Sequence, residues 1–314
     1  MANPDQFLWM SHSKPLQNEV ESTKSLYKGG ALVRLRVQSA VRESDQCSLN
    51  ALIPIAQYVL IDASKVSRYA VPIQQHHLPE ANMKTNLRAE PESISFDPSK
   101  SALCVIDMQN YDIKPGGFFD LTGVDTEHGK RVIEPIKKAI AYSKAASIPI
   151  IYTRMVIAAD PLMRPGEDSP WYWKGAAYRA DISDPAMERA IGIDGTWGAE
   201  IVDELAPQEG DYIVTKPLYS AFQRTDFDLI LKRLGVRHLF ITGIGTPTCV
   251  EATARDAYFQ EYFPVLLEDC CGGIIPETHG QALVAIKRRY GWVSDLESWA
   301  SSLSEGIPDF RSPV

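Results

Sequence analysis

From about residue 91 onward the chain alternates two patterns. Short apolar runs stand at 102–106, 148–152, 212–215, 238–242 and 263–267, and helical patterns fill the intervals at about 130–146, 226–234, 250–261 and 277–290. Runs of four or five residues with no polar interruption read as strands covered on both faces. Strands separated by helix-length segments read as βαβ units, whose crossovers place helices on both sides of the sheet. The expected fold is therefore α/β, a three-layer α/β/α sandwich around a mostly parallel sheet.

Residues 1–82 show no such period. Residues 33–37 (Val-Arg-Leu-Arg-Val) read as a short strand and 49–61 as an apolar element, but no capping or hairpin signal frames either. The segment 74–82 reads as linker. Within it His76 and His77 are adjacent, point to opposite sides of an extended chain, and make no metal site. Charge changes at the same place: 1–82 holds 8 Lys+Arg and 7 Asp+Glu, leaving 24 and 33 of the totals 32 and 40 for 83–314. The division is thus an N-terminal extension, 1–82, weakly ordered or accessory, and a folded domain, 83–314. The extension reads as an accessory segment, an arm on a neighbouring subunit, or translated sequence upstream of Met83.

Composition excludes several classes. With 45% hydrophobic and 23% charged residues the chain resembles ordinary globular proteins. Its net charge of −8 repels nucleic acid and anionic membrane. The longest apolar stretch, Ala51 to Ile61, carries Pro54 and Gln57 and falls well short of the roughly 20 residues of a membrane span. Five cysteines, at 47, 104, 249, 270 and 271, have no metal-ligand spacing, and their odd count suits a reducing compartment. A cytoplasmic protein without nucleic-acid or membrane partners, and without metal or other cofactor, is the expectation.

Candidate chemistry gathers at strand ends. Asp107 ends the run 102–106, Lys216 follows 212–215, and Cys249 stands where 238–242 hands over to a helix. In open α/β sheets the ligand crevice lies beyond the carboxyl ends of the strands, so all three converge on one edge. A cysteine at a helix start is favoured as thiolate and titrates below its usual value of about 8.5. Each position also has a plainer use: a core cysteine, a helix-capping Asp, a solvated Lys.

The ordered set Asp107, Lys216, Cys249 resembles the catalytic set of the isochorismatase-like cysteine hydrolases. Further segments carry the resemblance, among them Val-Ile-Asp-Met-Gln-Asn (105–110), Gly-Gly-Phe-Phe-Asp-Leu-Thr-Gly (116–123), Lys-Pro-Leu-Tyr-Ser-Ala-Phe (216–222) and Gly-Trp-Val-Ser-Asp (291–295). They are most similar to ureidoacrylate amidohydrolases, with biuret hydrolase and carbamoylsarcosine amidase as neighbours. The resemblance implies an isochorismatase-like hydrolase fold over 83–314 and hydrolysis of a linear amide or ureide C–N bond through a thioester or carbamoyl-enzyme. It implies Cys249 as nucleophile, Asp107 as proton carrier, Lys216 as the cation beside the thiolate, and an oxyanion hole from the N–H groups of Gly245 and Cys249. The Ile244–Gly245 peptide would be cis, with Thr246 as helix cap and Pro247 at the first helical position. A homo-oligomer is implied as well. The alternatives are a catalytically inactive scaffold on the same fold, or an isochorismatase or nicotinamidase-type hydrolase. The metal-dependent branch lacks support, because residues 153–180 contain no histidine.

The substrate pocket departs from that resemblance. Where ureidoacrylate amidohydrolases carry Asn-x-Trp, this chain has residues 155–157, Met-Val-Ile; their polar Ser-Asn pair falls near Gly175 and Ala176. Between these lie Trp171 and Trp173, while Tyr219 remains beside Lys216. Met155, Trp171, Trp173 and Tyr219 are the candidate substrate contacts, and a bulkier, less polar amide or ureide is the expected partner. The tryptophans equally suit a core or a subunit contact.

Overall fold

The computed structural model describes residues 84–307 and 310–313, and the backbone of 22–28 and 31–37. The chain divides into two units, 1–76 and 77–314. In the first, β1 (Ser22–Lys28) pairs antiparallel with β2 (Ala31–Val37), Ser22 facing Val37. The strand expected at 33–37 is thus the end of a longer one. The Gly29-Gly30 dipeptide between the strands is a hairpin signal that the sequence reading missed. The apolar element at 49–61 and the linker at 74–82 lie outside the described residues.

In the second unit, β3 (Thr85–Leu87) and β4 (Ile94–Phe96) form a small antiparallel pair. The main sheet contains β5 (Ser101–Ile106), β6 (Ile150–Met155), β7 (Tyr212–Lys216), β8 (His238–Ile244), β9 (Phe263–Gly272) and β10 (Trp292–Ser294). Its order is β10-β9-β8-β5-β6-β7, with every pairing parallel. From β5 the chain winds outward through β6 and β7, then returns to β8 on the other side. The order reverses between β5 and β8, which opens a crevice at their carboxyl ends.

Period-2 alternation in β5 decides the layers. Leu103 and Val105 face a core shared with Ile136 and Ala139 of one helix and Trp299 and Leu303 of another. Ala102, Cys104 and Ile106 face the opposite core, with Leu231, Ala254, Ala257 and Leu283. The helices include α1 (Asn110–Ile113), α2 (Ile133–Ala145), α3 (Pro170–Lys174), α4 (Phe227–Arg233), α5 (Glu251–Phe259), α6 (Pro276–Ala285) and α7 (Leu296–Gly306), with further short helical segments at Phe118–Leu121, Glu127–Lys130 and Pro185–Ala190. The first core therefore lies under α2 and α7, the second under α4, α5 and α6, which makes the three layers expected. Beyond the elements expected are β3, β4, α1, α3, β10 and α7. The three residues of β10 are too few to show a period, and α7, capped by the Asp295 carboxylate accepting from Ser298 N–H at 2.7 Å, follows it.

Among the described residues no helix is long and apolar enough to cross a membrane.

Candidate active site

Three strand ends supply the buried polar cluster. Asp107 follows β5 with φ +50°, a left-handed conformation rare outside glycine but tolerated best by Asn and Asp. Its N–H donates to the Thr153 carbonyl oxygen at 3.1 Å, and the Thr153 hydroxyl donates to Asp107 Oδ1 at 2.7 Å. Oδ1 is thereby occupied, while Oδ2 lies 2.6 Å from Lys216 Nζ at an angle that makes an ion pair without an aligned hydrogen bond. Lys216 ends β7 opposite Met155, reaches across β6, and also donates to the Leu218 carbonyl oxygen at 3.1 Å. It is fully buried, with 0% exposure; Asp107 is 3% exposed and Cys249 6%.

Cys249 arrives from β8. Near the end of β8 stands Gly243, whose φ of +110° and 2.1 Å separation between an added Cβ and the Ile106 carbonyl oxygen restrict this position to glycine. The Ile244–Gly245 peptide is cis, as the resemblance implies. Thr246–Val250 then forms one wide turn, in which Val250 N–H donates to Gly245 O, before α5 begins. Gly245 caps this turn, in place of the expected Thr246, and the Thr246 hydroxyl instead pairs with His279 Nδ1 at 2.8 Å. Starting one residue early moves Pro247 off the first position.

The charges of both Asp107 and Lys216 act on the Cys249 thiol. Its resting state differs from the sequence expectation of a lowered thiol pKa. Burial pushes the thiol up; Lys216 opposes this, while Asp107 and Asp112 reinforce it. The cluster thus holds a protonated thiol beside a carboxylate that can receive its proton. Lys216 is itself raised: burial works against its charge, but the Asp107 carboxylate and the Cys249 sulfur outweigh it.

Asp107 and Cys249 lie on the wall of a cavity of about 310 Å³, while Lys216 is buried and does not line it. Met155, Trp171, Tyr219, Gly245 and Cys249 all line it, as do Gly175 and Ala176. The Trp171 and Tyr219 rings meet edge to face at 4.5 Å. Trp173 does not line it. In α3 two positions correspond to about 200° of rotation, so Trp173 turns outward, 57% exposed, its indole donating to the Glu167 carbonyl oxygen at 2.8 Å. Expecting both tryptophans in the pocket was an error of periodicity.

Several lining residues escaped the sequence reading. Gln109 Nε2 donates to the carbonyls of Met155 (2.9 Å) and Ala199 (3.1 Å), and Gln109 Oε1 accepts from Met155 N–H at 2.7 Å, clamping the end of β6. Tyr111 and Asp112 directly follow the motif 105–110 and face the cavity with Tyr178. Proximity to Asp107 was the available signal. Among the described residues no group of three or more His, Cys, Asp or Glu side chains is disposed to hold a metal ion.

A family model of the Isochorismatase domain matches residues 101–298, well over half of the chain. The chain belongs to the isochorismatase family. This isochorismatase-like hydrolase is similar to a cysteine hydrolase from Pseudomonas syringae pv. phaseolicola 1448A, at 25% identity and a TM-score of 0.55, over 68% of this chain and 96% of that one. An isochorismatase family protein from Desulfovibrio vulgaris subsp. vulgaris str. Hildenborough is similar at 25% identity and a TM-score of 0.52, over 65% and 98%. N-carbamoylsarcosine amidase from Thermoplasma acidophilum matches at 25% identity and a TM-score of 0.48, over 63% and 97%.

Proposed function

We propose that this isochorismatase-like hydrolase is a cysteine-dependent amidohydrolase, ureidoacrylate-hydrolase-like in its chemistry, acting on a linear amide or ureide. The observation that carries the reading is that Asp107 and Cys249, from two separate strands, line one cavity, while Lys216, from a third, is buried against Asp107 at 2.6 Å and acts on the Cys249 thiol. Asp107 takes the thiol proton as Cys249 Sγ bonds to the carbonyl carbon. Lys216 stabilises the forming thiolate. The N–H groups of Gly245 and Cys249 hold the oxyanion of the tetrahedral intermediate. As that intermediate collapses the C–N bond breaks, and the nitrogen leaves with the proton returned by Asp107. Water then attacks the thioester or carbamoyl-thiol, giving a proton to Asp107; the acid departs and the thiol is restored.

The rest of the cavity bears on the substrate. Met155, Ile157, Phe118, Phe119 and Trp171 make much of its surface apolar or aromatic. A small polar ligand would leave hydrogen-bonding groups unpaired there, at about 1–3 kcal/mol each. An amide or ureide with an apolar or aromatic body is therefore hydrolysed about tenfold or more efficiently than ureidoacrylate. Ammonia release across a panel of ureido acids, primary amides and aryl ureas tests both parts. Turnover should favour the bulkier members and vanish in Cys249→Ala and Cys249→Ser. Comparable efficiency on ureidoacrylate would overturn the substrate class, and persisting turnover in Cys249→Ala would overturn the mechanism.

A further inference from the structure

The buried cluster balances its own charge: Lys216 offsets Asp107, and Cys249 rests as a neutral thiol. One more carboxyl faces the same cavity. Asp112, on α1, is half-buried and lines the wall with Cys249, Tyr111 and Tyr219. Among the described residues its carboxylate has no hydrogen-bond donor and no ion-pair partner. Lys216, whose field reaches it, is committed to Asp107 Oδ2 and the Leu218 carbonyl. Lys174, the lysine on the cavity wall, is exposed to water, which screens it. One carboxyl is thus left without a counter-ion once the cluster is balanced.

Its neighbours are aromatic. Tyr111 and Tyr219 share the wall with it, and Trp171 and Tyr178 continue the surface. Aromatic faces attract cations through the ring quadrupole, and a carboxylate beside them adds the full charge. A ligand carboxylate in this place would be desolvated next to a second acid, with only the water-screened Lys174 as a cation on the wall. We propose that Asp112 selects the charge of the substrate, so that the cavity takes an amide or ureide whose body carries a cationic nitrogen and turns away one that ends in a carboxylate.

This deepens the amidohydrolase reading and rests on it for the word substrate. In the empty site burial, reinforced by Asp107, holds the Asp112 carboxyl well above the usual carboxylate range. A cation seated beside it draws that proton off and takes its place, so the site exchanges one positive charge for another.

Methanethiosulfonates of one frame and three charges read this selection at Cys249 without turnover. The full chain is treated with the trimethylammonioethyl, hydroxyethyl and sulfonatoethyl reagents. Labelling of the Cys249 peptide is followed by mass spectrometry, and each rate is divided by that for free 2-mercaptoethanol. The wild-type ratio of cationic to anionic rates should exceed the free-thiol ratio about tenfold or more, and should fall back most of the way in Asp112→Asn. A wild-type ratio no higher than that of the free thiol overturns the proposal. So does an unchanged ratio in an Asp112→Asn protein with the wild-type urea midpoint. Ammonia release separates the two readings. Charge selection with no amide hydrolysed by the wild type sinks the amidohydrolase and keeps Asp112 as a selector; hydrolysis with no charge selection sinks this inference alone.

Discussion

Replacing Lys216 by methionine removes a cation from a place that water does not reach, while nearly conserving side-chain length. Lys216 is fully buried and its ammonium sits 2.6 Å from Asp107 Oδ2. The other oxygen of Asp107 keeps the Thr153 hydroxyl, but Oδ2 accepts no aligned hydrogen bond that would remain once Lys216 is gone. Breaking a buried pair from one side costs about 3–5 kcal/mol, because the surviving charge stays buried and uncompensated. For a domain of this size each kcal/mol corresponds to about 2–4 °C, so melting should drop by about 6–20 °C. Adding Asp107→Asn removes the orphaned charge, keeps an acceptor for Thr153, and suits the left-handed backbone at φ +50°. The double variant should therefore recover at least half of the loss, seen as a higher urea midpoint at common slope. A single variant losing less than about 1 kcal/mol, the range of exposed pairs, would refute the reasoning. A double variant no more stable than the single would refute it equally.

Three further outcomes follow. Burial raises the thiols of Cys104, Cys249, Cys270 and Cys271. The fold therefore keeps protons that the unfolded chain releases above about pH 8.5, and stability present below that pH declines as pH rises past it. Urea titrations at pH 7.5 and 9.5 check this, and an equal or higher midpoint at the upper pH contradicts it. Trp171→Ala should raise KM severalfold, whereas Trp173→Ala, altering an exposed ring, should leave kcat/KM within about twofold; steady-state kinetics on the best amide of the panel decide it, and equal effects would reject the assignment. A chain starting at Met83 should unfold at the same urea midpoint as the full chain and retain its turnover, because 77–314 forms a compact unit of its own; an insoluble or inactive product would count against it.

The legibility of this chain followed the length of its signals. Strands such as 102–106, with apolar residues facing both cores, announced a buried parallel sheet, and the charged residues ending them marked its ligand edge. Elements of three residues, β3, β4 and β10, offer too few positions for any period, and the structure supplied them. The thiol of Cys249 shows a different failure. The local argument from a helix start favours thiolate, but the depth at which the turn places the sulfur depends on the packing of β5, β7 and β8, and burial outweighs the local field. The same applies to the pocket. Trp171 and Trp173 look equivalent as letters; the rotation of α3 puts one on Tyr219 and the other in solvent.

The central claim is that Cys249 carries the acyl or carbamoyl group between two half-reactions. The most direct measurement mixes enzyme with the fastest amide of the panel, quenches it in acid within milliseconds, and maps the adduct by peptide mass. The account predicts the acyl mass on the peptide containing Cys249, with no adduct and no turnover in Cys249→Ala. An adduct on Cys270 or Cys271, or ammonia release that persists in the Cys249→Ala protein, would contradict it.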